Sequence, residues 1–207
     1  MTGASVPLEG GAAKDVSPPA TAAPTEVKTR DTIPFWMAVA LTTCIFLPLA
    51  YYFGKYSVPE WVAFMVWAEY FTLGPKLGSL KTIIPAFTGG VSMGVIIGLI
   101  QAVLANAAPG IVPSGGSWYI SLFVGVCLMV FIMKYFKVFQ VGSLPYFNGL
   151  TAFLAVFFVG AFPTPTLNSY VIVLLGAAYA LAGGYMGAVM GWFNVTITFP
   201  RKVVSRK

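Results

Sequence analysis

Between Pro34 and Phe193 the chain runs through six apolar segments, and Glu69 is the only carboxylate lying well inside any of them. The first segment, Pro34 to Phe53, has 20 residues, enough at about 1.5 Å per residue to cross a hydrocarbon core of about 30 Å. The whole chain is 58% hydrophobic and only 9% charged, against about 25% charged residues in soluble domains. These features predict an integral, all-α membrane protein.

The charge pattern excludes several classes. A net charge of +6 would fit a nucleic-acid binder, but the basic residues sit in the tails and at the ends of apolar segments and form no groove-lining stripe. Nucleic acid is therefore not an expected partner. Cys44 and Cys127 each lie inside an apolar segment without a second ligand at metal spacing, and there is no histidine. No disulfide, metal or cofactor is expected, and any proton-coupled chemistry would have to rest on Glu69. The first apolar segment begins too late and runs too long for the core of a signal peptide. It is expected to stay in the mature protein.

Residues 1–31 are rich in Ala, Pro, Thr and Gly with few large apolar side chains, which predicts a disordered N-terminal tail, read as a passive extension in preference to a docking tail. Residues 32–200 form the membrane domain, and residues 201–207 a basic C-terminal tail. Pro48 is expected to kink the far end of the first segment. Pro59 and Glu60 suit the opening turn of a second helix that runs only to about Leu73. The third segment, about Thr82 to Ala105, repeats glycine every four residues at Gly90, Gly94 and Gly98. After the Pro/Gly-rich loop Asn106 to Gly116 come Trp118 to Met133, a second short segment from Pro145 to Ala161, and a long last one from about Asn168 to Phe193. The last repeats the glycine spacing at Gly183, Gly187 and Gly191. Both smooth faces predict close helix contacts.

If all six segments span, Lys28, Arg30, Lys76, Lys81, Lys134, Lys137, Arg201, Lys202, Arg206 and Lys207 fall on one side and Lys55 alone on the other. That bias predicts six transmembrane helices with both termini cytoplasmic. A pair of re-entrant short segments is the competing topology. The spans divide into halves 34–105 and 118–194, each with its short member in the middle. Three spans per half give opposite orientations, consistent with a 3+3 inverted repeat, in which paired short helices point to a midplane binding site. The plainer reading is that the short helices fit a thin or deformed bilayer.

The candidate pathway or gate comprises Glu69, Trp67, Tyr70, Lys76, Lys81, Asn148 and Thr151. Glu69 precedes the Gly74-Pro75 break, beyond which Lys76 or Lys81 comes within reach, so the alternatives are a polar gate and an architectural ion pair. Trp67, Tyr70 and Phe71 read first as interface anchors and packing. Asn148 and Thr151, three apart on one face, offer neutral hydrogen bonds to a solute or to a neighbouring helix, as do Thr88, Ser92 and Gln101.

From Trp61 to Gly94, through Trp67, Tyr70-Phe71, Gly74-Pro75, Gly78, Leu80-Lys81 and Gly89-Gly90, the chain resembles a family of small bacterial inner-membrane proteins defined only as a domain of unknown function, number 1097. The second half is similar through Pro145, Gly149, Thr151 and the Gly183 to Gly187 region. The resemblance covers most of residues 36–194 and not the tail. It implies a multi-spanning protein of the bacterial inner membrane, brings no activity, substrate or catalytic residue, and Glu69 is not among the residues that carry it.

The expected function is a channel or facilitator for a small polar solute, working in the lipid bilayer as a homo-oligomer or beside a membrane-complex partner. The alternative is an accessory or scaffolding subunit that docks through its glycine faces and has no pathway of its own. A membrane enzyme is not expected, because no nucleophile lies beside a base.

Overall fold

The computed structural model describes residues 32–52, 58–107, 116–163 and 168–198. The expected N-terminal tail, Lys55, most of the Pro/Gly-rich loop and the basic C-terminal tail lie outside the described residues. Within them are seven helices and no strand: α1 Phe35–Tyr52, α2 Glu60–Thr72, α3 Leu80–Ala107, α4 Gly116–Met133, α5 Lys137–Val141, α6 Ser143–Val159 and α7 Ser169–Thr198. Pro48 and Pro85 sit inside α1 and α3, which continue past them.

Among the described residues three helical stretches, not six, are long and apolar enough to cross a membrane: Leu77–Ala107, Gly116–Met133 and Ser169–Thr198. The expectation of six full spans is corrected accordingly. Helix α2 has 13 residues, about 20 Å of helix, and α6 has 17 residues. Both are cut short by local backbone chemistry. Gly74, at φ 90°, turns the chain after α2 into a single 3₁₀ turn, Leu77–Ser79. There Ser79 Oγ lies 2.5 Å from the Gly74 carbonyl and 3.1 Å from that of Leu73, serving carbonyls that the helix end leaves open.

At the end of α6, Gly160 adopts φ 67°. Its N–H bonds the Phe157 carbonyl at 3.3 Å and the Ala161 N–H bonds that of Val156 at 3.1 Å, the paired bonds of a Schellman cap. No atom lies within 4 Å of a Cβ built on Gly160, so a side chain there meets only backbone strain. Gly160→Ala is expected to lower stability by about 1 kcal/mol and Gly160→Asn by less, read from thermal unfolding of the detergent-solubilised protein.

The glycine faces decide how the helices pair. The carbonyl of Tyr146 occupies the space a Cβ on Gly90 would need, and the carbonyl of Phe87 does the same at Gly149. Helices α3 and α6 thus touch backbone to backbone. Helices α7 and α2 do likewise, with the Ala63 carbonyl against Gly187. Farther along each pair, the ring of Phe153 covers Gly94, and the ring of Tyr70 covers Gly191, its Cγ 2.8 Å from a Cβ built there. Val173 of α7 fills the space beside Gly98, while Val62 and the Pro59 carbonyl fill that beside Gly183. All six glycines of the two faces are therefore used inside the chain.

Two bodies result. Helix α7 holds α2 and α1, while α3 holds α6 and α4, with Ile97 seated on Gly125 of α4. Each body therefore takes its long helix from the other half of the sequence. They meet where Phe87 of α3 lies over Gly184 of α7, inside a core that includes Val62, Val66, Tyr70, Val91, Phe153 and Val156. Because Pro59, just before α2, touches Gly183 midway along α7, α2 accompanies only the C-terminal half of that long helix.

Candidate functional site

Glu69 lies on the last turn of α2, with 1% of its surface exposed. Asn148, in the second turn of α6, donates Nδ2–H to Glu69 Oε1 at 2.6 Å, while Oε2 has no hydrogen-bond partner. The two short helices, one from each half of the sequence, are thus joined by the one carboxylate buried among the described residues. Asn148 itself is only half-buried.

This arrangement corrects the ion-pair expectation. Lys76 and Lys81 are exposed, and neither forms an ion pair with Glu69. The left-handed turn at Gly74 and the 3₁₀ turn after it carry the lysines outward, away from the helix face that holds the carboxylate. Lys76 instead lines a cavity of about 240 Å³ with Leu73, Gly78, Ser79, Thr82 and Val141. Leu73 follows Glu69 by one helical turn, and its N–H bonds the Glu69 carbonyl at 2.9 Å. The cavity therefore opens one turn beyond the carboxylate.

The other expected site residues divide. Trp67 is buried with its Nε1 unpartnered, packed with Ala63 and Met190 and flanked by Val39, Phe46, Phe71 and Met186. Two residues before Glu69 on a helix, it points to a different side. Tyr70 is buried core whose ring covers Gly191. Thr151 is exposed and donates to the Phe147 carbonyl of its own helix at 3.1 Å, so it does not join Asn148 at the carboxylate. Thr88 is bonded to Tyr185 Oη at 2.8 Å, and Ser92 donates to the Thr88 carbonyl at 2.8 Å.

One buried polar pair escapes the sequence reading. Asn194 of α7, fully buried, donates Nδ2–H to Thr42 Oγ1 of α1 at 3.1 Å, and its Oδ1 is unpartnered. The available signal was the same as for Asn148, a lone amide inside an apolar segment.

A family model described as a protein of unknown function (DUF1097) matches residues 37–194, a stretch that takes in Glu69, Asn148 and both glycine faces. The chain belongs to the DUF1097 family. No curated protein and no solved structure matches it. Family membership and the apolar helices together make this a helical membrane protein, and the DUF1097 family itself brings no activity to the Glu69–Asn148 contact.

Proposed function

We propose that this DUF1097 protein is a channel or facilitator for a small polar solute in the bacterial inner membrane, built from two three-helix halves of opposite orientation. The inverted arrangement is supported by a correspondence in packing. One shift in numbering carries Thr42 to Gly125, Ala63 to Tyr146 and Tyr70 to Phe153; another carries Phe87 to Gly184, Gly90 to Gly187, Gly94 to Gly191 and Ile97 to Asn194. Gly90 rests on Tyr146, Gly94 on Phe153 and Ile97 on Gly125, as Gly187 rests on Ala63, Gly191 on Tyr70 and Asn194 on Thr42. The contact of Phe87 with Gly184 is its own counterpart and marks the axis. If the shorter helices α1, α2 and α6 cross as well, the lysine bias favours both termini in the cytoplasm.

The observation that carries the transport reading is the hydrogen bond from Asn148 to Glu69. It puts a buried carboxylate and an amide between the short helices of the two halves, which is where transport folds with inverted repeats bind their cargo. Proteoliposomes holding the full chain are expected to swell faster than empty liposomes with at least one small polar solute, and Glu69→Gln to change that rate at least several-fold. No permeability above empty liposomes across a broad solute panel would sink the reading.

The accessory-subunit alternative drew on glycine faces open to a partner, and those faces are filled from within the chain.

A further inference from the structure

We propose that Glu69 binds and releases a proton, making it the group through which solute movement is coupled to proton movement. The coupling rests on the transport reading; the proton site itself does not. Glu69 is 1% exposed, and its Oε2 has no partner. The titratable groups on the elements packed against α2 are Lys81 on α3, Tyr146 on α6, Tyr170, Tyr179 and Tyr185 on α7, and Cys44, Tyr51 and Tyr52 on α1. Lys81 is exposed, as is Lys76 in the connection, and neither bonds to Glu69. Helices α1, α6 and α7 contain no Asp, Glu, Lys, Arg or His.

A carboxylate in that setting lacks a counter-charge, and removing an unpaired ion from water is strongly unfavourable. The occupant that resolves this is a proton, not a metal ion. Hard cations are held by several oxygens, and Asn148 turns its N–H, not its carbonyl oxygen, toward Glu69. A proton needs one oxygen and no cavity. Oε2 takes it from a hydronium ion, forming one O–H bond and leaving a water molecule, and release reverses the step. The cavity lined by Leu73, Lys76, Ser79 and Thr82 reaches Leu73, four residues beyond Glu69 in the chain.

Infrared difference spectroscopy of the reconstituted full chain across a pH titration tests this without relying on transport. The wild type is expected to show a pH-dependent carboxyl C=O band that shifts in D₂O and is lost in Glu69→Gln. In Asn148→Ala the band is expected to move to higher frequency, because Oε1 loses its donor. Should Glu69→Gln fail to fold, Glu69→Asp is expected to displace the band. An identical spectrum in the wild type and all folded Glu69 variants overturns the proton site, while liposome swelling in the same preparation judges the transport reading separately. A band that is present with uptake insensitive to an imposed pH gradient overturns the coupling.

Discussion

Gly90→Ala and Gly187→Ala are each expected to destabilise the protein by about 3 kcal/mol, or to prevent its accumulation in the membrane. At both positions the atom in the way of a new Cβ is a backbone carbonyl, of Tyr146 and of Ala63. A carbonyl fixed in a helix has no alternative rotamer, so relief requires the helices to separate. Separation in turn removes the dispersion contacts and close backbone approach on which helix association in lipid depends. Gly94→Ala should be milder, since the ring of Phe153 is the obstacle and a side chain can turn. Gly78→Ala is the control, because no atom lies within 4 Å of a Cβ built there. Thermal unfolding in one detergent, followed by size-exclusion chromatography, ranks the four. If Gly90→Ala and Gly187→Ala melt with the wild type, the backbone contacts between α3 and α6 and between α7 and α2 are wrong. Similar losses at the two sites are a further expectation of the proposed inverted repeat, in which the two contacts are counterparts.

Asn148→Leu is expected to destabilise by about 2 kcal/mol, because it strips Glu69 of the one hydrogen bond its carboxyl makes and leaves both oxygens buried and orphaned. Glu69→Gln should be far milder: its amide oxygen still accepts from Asn148, and one unpartnered atom replaces another. Removing both polar groups together in Glu69→Leu with Asn148→Leu is expected to recover part of the loss, with a coupling energy of about 1 kcal/mol. The cycle is measured by unfolding in the same micelles. Additive losses, with no coupling, would show that the two side chains do not interact.

Much of the site was legible as parts but not as an assembly. Glu69 was conspicuous because one carboxylate stood in a long apolar context, and Asn148 because an amide opened a short apolar segment. Their pairing spans 79 residues of sequence, a distance at which spacing carries no information. The lysines misled for the opposite reason. Lys76 and Lys81 are close to Glu69 along the chain, but proximity in sequence yields contact only if the backbone between folds back, and the turn at Gly74 sends it outward. Thr151 shows a similar limit: it lies near Asn148 on the helix surface, yet it is exposed and its hydroxyl is satisfied by its own helix.

The number of spans divides along the same line. Helices α3, α4 and α7 could be read directly, because their length and apolarity are properties of a single segment. The shortness of α2 and α6 was also visible, and Pro59 and Glu60 marked where α2 begins, but not where that start lies against α7. Its start beside the middle of α7 comes from the contact of Pro59 with Gly183, an arrangement between two segments.

The sequence by itself determined that this is a helical membrane protein with two short helices, two glycine faces and one carboxylate well inside an apolar segment. Each of these is local: a helix in lipid satisfies its own backbone, and its residue spacing alone defines its faces. Only the tertiary structure decided that each glycine face receives a short helix from the other half of the chain, and that the carboxylate meets Asn148 and not a lysine. Those outcomes depend on which backbones can approach without a Cβ between them, and that is settled between helices.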